Sequence, residues 1–292
     1  MGCGIWKSGD FEKYSRSKGR SVDKNGRVVD SSQQIFTERA LHKDLSPFQV
    51  MRECCDTAEH PESLPVIIGI DVTGSMGRAA KDVAQSMNVI ITGLMSSVKD
   101  IEVCVMGIGD LAYDQAPIQI SQFESDIRIS EHLDKIYFEG GGGGNQFESY
   151  TAAWYMGLKH CKLDCWKRGK KGIIITIGDE PLNPYLPKQP LINATGDELA
   201  DDVMTNKLYE EASKKFSIYS IYLDNHPRYS EIAPASYKNI LPESHVLTID
   251  AVDKLTEAIQ ACIRDGAGEA AIGVSTATPH TDSSDTSGMV SW

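Results

Sequence analysis

Three oxygen-bearing side chains, Asp71, Thr73 and Ser75, follow an apolar run in the stretch PVIIGIDVTGSMG. A ligand set of one carboxylate and two hydroxyls, without nitrogen or sulfur, is typical of a hard divalent cation such as Mg²⁺. The glycines of the stretch allow the backbone to turn tightly around an ion. We therefore predict a site for Mg²⁺, or for Mn²⁺ or Ca²⁺. A simpler alternative is that Thr73 or Ser75 only caps the following helix.

Two further stretches carry side chains that can join this site. Asp179 follows the apolar run IIITIG, and EGGGGGNQFES places Asn145, Glu148 and Ser149 at the start of a predicted helix. Strands of a parallel sheet present their carboxyl ends at one edge, so Asp179 is expected near the first cluster. Asn145 and Glu148 also have the spacing of an Asn-x-x-Glu capping box, and this alternative stays open.

The elements that must position these residues alternate along the chain. Apolar runs predict strands at 66–70, 101–108, 172–177, 217–223 and 245–249, and periodic stretches predict helices at 75–98, 126–136, 147–160, 197–215 and 251–264. Such alternation indicates an α/β fold, with a doubly wound, mostly parallel central sheet and helices on both faces. Within 107–121, two apolar runs are joined by a short polar loop, which predicts one antiparallel edge strand.

Composition suggests three regions. Residues 1–64 are predicted to form an N-terminal arm, polar and loosely ordered over 1–33, and a lead-in helix over 46–63. Residues 65–264 are predicted to form the main domain. Residues 265–292 are rich in small and polar residues, which favours a flexible C-terminal tail.

Charge and cysteine usage exclude several classes of function. The net charge of −12 argues against nucleic-acid binding, which depends on clustered Lys and Arg. The apolar stretches are too short for a membrane span, so we expect no membrane partner. Seven cysteines, an odd number, in a chain without a signal peptide favour a reducing compartment, and we expect the protein in the cytoplasm.

The DVTGSM element, the glycine-rich loop before a helix, and the later strand-end Asp resemble the metal ion-dependent adhesion site of a von Willebrand factor type A (vWA) domain. The resemblance covers roughly 65–264, and the flanking sequences resemble those of a bacterial or phage subfamily. It implies that Asp71, Thr73 and Ser75 correspond to the family's Asp-x-Ser-x-Ser element and that Asp179 corresponds to its last Asp. The loop Thr of the family has no match here, and its place falls near Asn145, with Glu148 as the competing candidate.

The resemblance implies binding, not catalysis. The expected function is a divalent-metal-dependent protein-binding module, in which the ion coordinates an Asp or Glu of a partner protein. Loops at the same edge are expected to select the partner. These loops are 109–116, 179–190 and 224–231, and their aromatic residues Tyr113, Tyr185, His226 and Tyr229 suit either an interface or the packing of a loop.

Two alternatives use the same residues differently. A metal-dependent phosphohydrolase of the haloacid dehalogenase type would use Asp71 as nucleophile, but it needs an acid at the position of Thr73, which cannot donate a proton at a useful pKa. We therefore do not expect an enzyme. The second alternative is a vWA scaffold protein that binds no metal, and the complete Asp-x-Thr-x-Ser element argues against it.

Overall fold

The computed structural model describes residues 4–29, 35–95, 97–141, 147–225 and 227–268. Its strands are β1 (Arg52–Cys54), β2 (Leu64–Asp71), β3 (Ile101–Ile108), β4 (Ile118–Ile120), β5 (Cys161–Leu163), β6 (Gly172–Gly178), β7 (Tyr185–Leu186), β8 (Val203–Met204), β9 (Phe216–Leu223) and β10 (Val246–Ile249). Its α-helices are α1 (Ser8–Ser17), α2 (Gly77–Leu94), α3 (Arg128–Asp134), α4 (Ala152–Lys159), α5 (Lys188–Thr195), α6 (Thr205–Ala212), α7 (Ile232–Lys238) and α8 (Leu255–Gly266).

Six strands form the central sheet in the order β10-β9-β6-β2-β3-β4. All neighbours are parallel except β3 and β4, which pair antiparallel with Met106 opposite Ile120. The connection between these two strands is too short for a crossover helix, so the chain can only return antiparallel. The predicted mostly parallel sheet and its antiparallel edge strand are confirmed.

Helices cover both faces of the sheet. Along β2, Ile68 and Ile70 join one apolar core, whereas Ile67 joins the other, because successive side chains point to opposite faces. Buried residues of α1, α2, α3 and α8 belong to the first core, and those of α4, α5, α6 and α7 belong to the second. The predicted doubly wound arrangement is therefore confirmed.

The helix predicted at 75–98, after the oxygen cluster, is confirmed. The structure places α2 within the predicted range, with Met87, Ile90, Ile91 and Leu94 buried against the sheet. The helix predicted at 197–215 is shorter, because α6 begins only after β8. The sequence analysis did not predict α5, which follows a proline-rich stretch.

The prediction of a loosely ordered N-terminal arm is wrong for the described part of residues 1–33. This segment contains α1 and buries Trp6, Phe11 and Val28 in the first core. The indole N–H of Trp6 donates a hydrogen bond to Asn88 Oδ1 of α2 at 2.9 Å. Contacts with distant helices, rather than a local apolar pattern, therefore order the segment.

The predicted lead-in helix over 46–63 is also wrong. Its central part is strand β1, which pairs in parallel with β5. Gln49 has a φ of 51°, in the left-handed region, which a continuing α-helix cannot accommodate. The guanidinium of Arg52 donates to the carbonyl oxygens of Asp44 and Ile120, at 2.8 and 2.7 Å, and so holds the strand against the body of the domain.

Candidate metal-binding site

The two predicted strand-end aspartates lie at the same edge of the sheet. Asp71 is the last residue of β2, and Asp179 directly follows β6. These strands are parallel neighbours, with Ile70 opposite Ile177, so both carboxylates come at their carboxyl ends. Asp71 is fully buried and Asp179 is 1% exposed, so both are shielded from water.

Asp71 accepts three hydrogen bonds. Its Oδ1 accepts from the backbone N–H of Thr73 at 2.8 Å and from the Thr73 hydroxyl at 2.6 Å. Its Oδ2 accepts from the hydroxyl of Tyr150 at 2.7 Å. The Tyr150 oxygen in turn accepts from the N–H of Glu180 at 3.2 Å and thereby connects the ends of β2 and β6. Sequence reasoning missed Tyr150, since nothing in its local pattern marks it.

The hydroxyl of Ser75 donates a hydrogen bond to Asp179 Oδ1 at 3.1 Å. Ser75 lies in a 3-10 turn, Gly74–Met76, that precedes α2. Thr73 precedes this turn, but its side chain makes no capping hydrogen bond, and Met76 occupies the N-cap position of α2. The capping alternative is therefore wrong: both hydroxyls bind carboxylates.

The start of the glycine-rich loop packs on the Asp71 turn. The N–H of Gly74 donates to the carbonyl of Gly141 at 2.9 Å, and the N–H of Glu139 donates to the carbonyl of Val72 at 3.0 Å. A Cβ on Gly74 would lie 3.1 Å from the carbonyl oxygen of Gly140, tighter than most van der Waals contacts. Glycine at this turn therefore allows the loop to close over it. The structure does not describe residues 142–146, so Asn145 lies outside the described residues.

Glu148 lies beside this cluster. It is 2% exposed, and its Oε2 atom is buried without a hydrogen-bond partner among the described residues. It forms an isolated parallel bridge with Leu182, just beyond Asp179. Because α4 begins only at Ala152, with Thr151 as N-cap, the capping-box alternative for Glu148 is wrong. Its side chain remains available for another partner.

Burial and mutual repulsion perturb these carboxyl groups. Burial, the largest cause, and the charge of Asp179 raise the pKa of Asp71 to about 7, against the hydrogen bonds from Thr73 and Tyr150 that favour its ionised form. Burial and then the charge of Asp71 raise the pKa of Glu148 to about 11. Burial, and then the charges of Asp71 and Asp179, raise the pKa of Glu180 to about 7. A cation among these groups would favour their ionised forms and relieve the repulsion.

The donor set determines what the site can hold. The two carboxylates of Asp71 and Asp179 and the two hydroxyls of Thr73 and Ser75 match the oxygen ligands of Mg²⁺, Mn²⁺ or Ca²⁺. Within the described ranges, no three side chains of the types His, Cys, Asp and Glu are arranged to hold a metal ion together. A cation here would therefore depend on the hydroxyls of Thr73 and Ser75, and on water, for part of its coordination.

The aromatic residues predicted for the surrounding loops differ in exposure. Tyr113 is 58% exposed and Tyr185 is 42% exposed, so both are available for contact. Tyr229 is buried in the second core and packs its loop instead. His226 lies outside the described residues.

The rest of the described chain contains free cysteines and no membrane-spanning helix. Cys54, Cys55, Cys104, Cys161, Cys165 and Cys262 are free thiols. None of the helices in the described ranges combines the length and apolar character required to cross a membrane.

Comparisons with known proteins show the fold alone. No protein-family model matches the sequence, and no curated protein matches it. The pilus adhesin SpaC from Lactobacillus rhamnosus GG, in its open conformation, is structurally similar, with a TM-score of 0.51 and 13% sequence identity. The match covers 73% of this chain and 31% of the adhesin. Proximal thread matrix protein 1 from the mussel byssus matches with a TM-score of 0.43 at 13% identity, over 72% of this chain and 49% of that protein. The first likeness indicates a shared α/β fold, and the chain spans about a third of the adhesin's length.

Proposed function

We propose that this protein is a divalent-metal-dependent protein-binding module of the vWA type, without enzymatic activity. Asp71, Thr73, Ser75 and Asp179 hold Mg²⁺, or alternatively Mn²⁺ or Ca²⁺, at the carboxyl edge of the sheet. An Asp or Glu of a partner protein completes the coordination of the ion. Because the cysteines are odd in number and those described are free, we place the protein in the cytoplasm.

One observation carries this proposal. Four oxygen-bearing side chains from two separated segments converge as two hydrogen-bonded pairs, Thr73 with Asp71 and Ser75 with Asp179. Carboxylates that are buried together at one sheet edge repel one another unless a cation or protons neutralise them. A divalent ion would supply this neutralisation and use the hydroxyl oxygens as further ligands.

Glu148 is our choice for the coordinating residue of the loop. Its Oε2 is buried and has no hydrogen-bond partner among the described residues, which is costly unless a cation or a proton satisfies the group. Burial, and then the charge of Asp71, raise the pKa of Glu148, and a cation would favour the ionised form of both carboxyl groups. Asn145 remains the alternative, and the experiment below separates the two.

The proposed partner is a protein, since the negative charge of the chain disfavours nucleic acid and anionic membrane surfaces. Tyr113, in the connection after β3, and Tyr185, the first residue of β7 in the connection after β6, are exposed, and both connections start from the sheet edge that carries the ion site. Aromatic side chains of this kind are enriched at protein interfaces. They would surround the acidic residue that reaches the ion.

A second candidate is a metal-free vWA scaffold. The observation in its favour is that Asp71 already accepts three hydrogen bonds, so protein groups alone satisfy this carboxylate. No comparable observation favours the phosphohydrolase, because a fully buried, hydrogen-bonded Asp71 is not accessible as a nucleophile.

Isothermal titration calorimetry of the full chain with MgCl₂, MnCl₂ and CaCl₂ tests the proposal. We expect saturable binding of at least one ion, its loss in Asp71→Asn, and no change in the control Glu210→Gln, which removes an exposed carboxylate of α6. Glu148→Gln should weaken binding at least about tenfold, whereas Asn145→Ala should leave it unchanged. If Asn145→Ala weakens binding and Glu148→Gln does not, Asn145 is the coordinating residue of the loop. Absence of binding for all three ions at about 10 mM contradicts the metal site and favours the scaffold.

A further inference from the structure

A cavity of about 430 Å³ lies between α1, α3 and residues 36–42. None of its lining residues belongs to the candidate metal-binding site. Cavities of roughly 300 to 1,000 Å³ are the usual size for small-molecule sites. The chemistry of the walls therefore decides whether this one binds a ligand, and of which class.

Part of the cavity wall is a rigid polar network. Arg20 donates two hydrogen bonds to the carboxylate of Asp134, at 3.0 and 2.9 Å, and the hydroxyl of Tyr14 donates a third at 2.6 Å. The side chain of Arg20 is only 10% exposed, and its Nε atom is buried without a hydrogen-bond partner among the described residues. Because this Nε donor is closed to solvent, it is not a contact for a molecule in the cavity, and the network serves as a fixed wall.

Two carboxylates and one ammonium of the lining are not neutralised by ion pairs within the described part of the chain. Glu38 and Glu131 line the cavity and make no salt bridge there. The ammonium of Lys18 lies over the ring of Tyr14, 5.5 Å from its centre, and also makes no salt bridge. The lining thus offers acceptors for a cation and donors for an anion.

Two cations of the lining are already paired. Arg20 pairs with Asp134, and Lys135 pairs with Asp44, which lies outside the lining. The charged groups left for a ligand are therefore the carboxylates of Glu38 and Glu131 and the ammonium of Lys18. A molecule that carries one ammonium and one carboxylate can pair with both kinds of group.

An aromatic side chain held in a strained conformation contributes the apolar wall. Phe36 has a φ of 64°, which is rare for a bulky residue, and its ring stacks on that of Phe138 at 5.9 Å. Strained backbone of this kind is concentrated at functional sites such as ligand clamps, where packing holds it. The stacked ring gives the cavity a flat apolar surface beside its charged groups.

We infer that this cavity binds a small zwitterion, and that a free α-amino acid with an aromatic or aliphatic side chain is the class that fits. Its ammonium contacts Glu38 and Glu131. Its carboxylate accepts from the ammonium of Lys18. Its side chain packs on Phe36. This inference does not depend on the proposed metal site.

Calorimetry of the full chain with L-phenylalanine, L-tyrosine, L-leucine and L-methionine tests the inference. We expect at least one of them to bind with a Kd of about 1 mM or lower. The N-acetyl derivative, which lacks the ammonium, and the methyl ester, which lacks the carboxylate, should each bind at least about tenfold more weakly. If none of the four binds at about 10 mM, or if both derivatives bind as well as the parent, the inference is wrong.

Variants locate the binding to this cavity. The double variant Glu38→Gln/Glu131→Gln and the single variant Lys18→Gln should each weaken binding of the best amino acid at least about tenfold. Lys18 is exposed, so its substitution does not endanger folding. The control Lys207→Gln/Glu210→Gln changes two exposed charges of α6 and should leave binding unchanged. Unchanged binding in both cavity variants would place the amino acid elsewhere and overturn the assignment.

Discussion

Glu102 offers a quantitative test of how burial controls stability in this fold. It lies in β3, is 1% exposed, and neither carboxylate oxygen has a hydrogen-bond partner of standard geometry among the described residues. Burial is the main cause that raises its pKa to about 7, from an ordinary value of 4.5, while the neighbouring Cys54 thiol and His60 oppose the rise only in part. The folded protein therefore retains the Glu102 proton at a pH where the unfolded chain has lost it.

The sign and size of the effect follow from this difference. Because the folded pKa is raised, the contribution of Glu102 is fully present below pH 4.5 and is lost as pH rises through 7. A shift of this size corresponds to about 3 kcal/mol of unfolding free energy. Glu102→Gln removes the titration, so the stability of the variant relative to the wild type should increase by about 2 to 3 kcal/mol between pH 5 and pH 8.

Urea denaturation of both proteins at pH 5 and pH 8, followed by circular dichroism, measures this difference. The stability difference between variant and wild type at pH 8 is compared with the same difference at pH 5. Titrating groups that both proteins share cancel in this comparison. Glu210→Gln, on the exposed face of α6, is the matched control and should show no such change. An equal stability difference at pH 5 and pH 8 for Glu102→Gln would refute the reasoning.

Three further changes test other parts of the fold. Gly74→Ala brings a Cβ to 3.1 Å from the carbonyl oxygen of Gly140. Urea denaturation should show a loss of about 1–2 kcal/mol in stability, and added Mg²⁺ should stabilise the variant less than the wild type. An unchanged denaturation midpoint would show that the loop moves aside without cost. Trp6→Phe keeps an aromatic ring but leaves Asn88 Oδ1 without its 2.9 Å donor. Thermal denaturation should show a loss of about 1–2 kcal/mol in unfolding free energy. No loss would mean that the N-terminal segment contributes little to the stability of the domain. Residues 269–292, the part of the predicted 265–292 tail that lies outside the described residues, can be deleted, and the melting temperature should then stay nearly unchanged, whereas a fall of many degrees would show that these residues pack on the domain.

The elements that the sequence analysis predicted correctly have a strong local pattern. The continuous apolar run of β2 predicts a strand buried on both faces, and the three- and four-residue spacing in α2 predicts a helix packed on the sheet. The short connection after β3 is equally local, and it predicted the antiparallel partner β4. In each case neighbouring residues alone determine the structure.

The elements that it missed depend on distant partners. The geometry of β1 relies on the carbonyl oxygen of Ile120, which is 68 residues away from Arg52 in sequence. The segment around α1 is ordered by Asn88 and by Asp134, more than one hundred residues beyond Arg20. No window of the sequence contains both partners, so periodicity cannot reveal these contacts.

The candidate site also has residues that the sequence predicts and residues that it does not. The rule that strand ends share an edge placed Asp71 and Asp179 together before any geometry was known. Tyr150 lies within the predicted helix 147–160 and in no ligand pattern, yet its hydroxyl bridges the two strand ends through Asp71 and the N–H of Glu180. Its role follows only from the way α4 and its preceding loop pack under the sheet edge.

The hydrogen bonds that support a metal-free scaffold do not exclude a metal. A hydroxyl has one proton and two acceptor lone pairs, so Thr73 and Ser75 can donate to Asp71 and Asp179 and still offer a lone pair each to a cation. The bonds would then hold both oxygens in place before the ion arrives, which reduces the conformational entropy lost on binding. Substitution of both hydroxyl residues by Ala should therefore weaken ion binding while Asp71 and Asp179 remain. The double variant Thr73→Val/Ser75→Cys keeps similar side-chain shapes without a hydroxyl oxygen, and it should not restore ion binding. Restored Mg²⁺ binding of this variant in calorimetry would show that the hydroxyls only fill space.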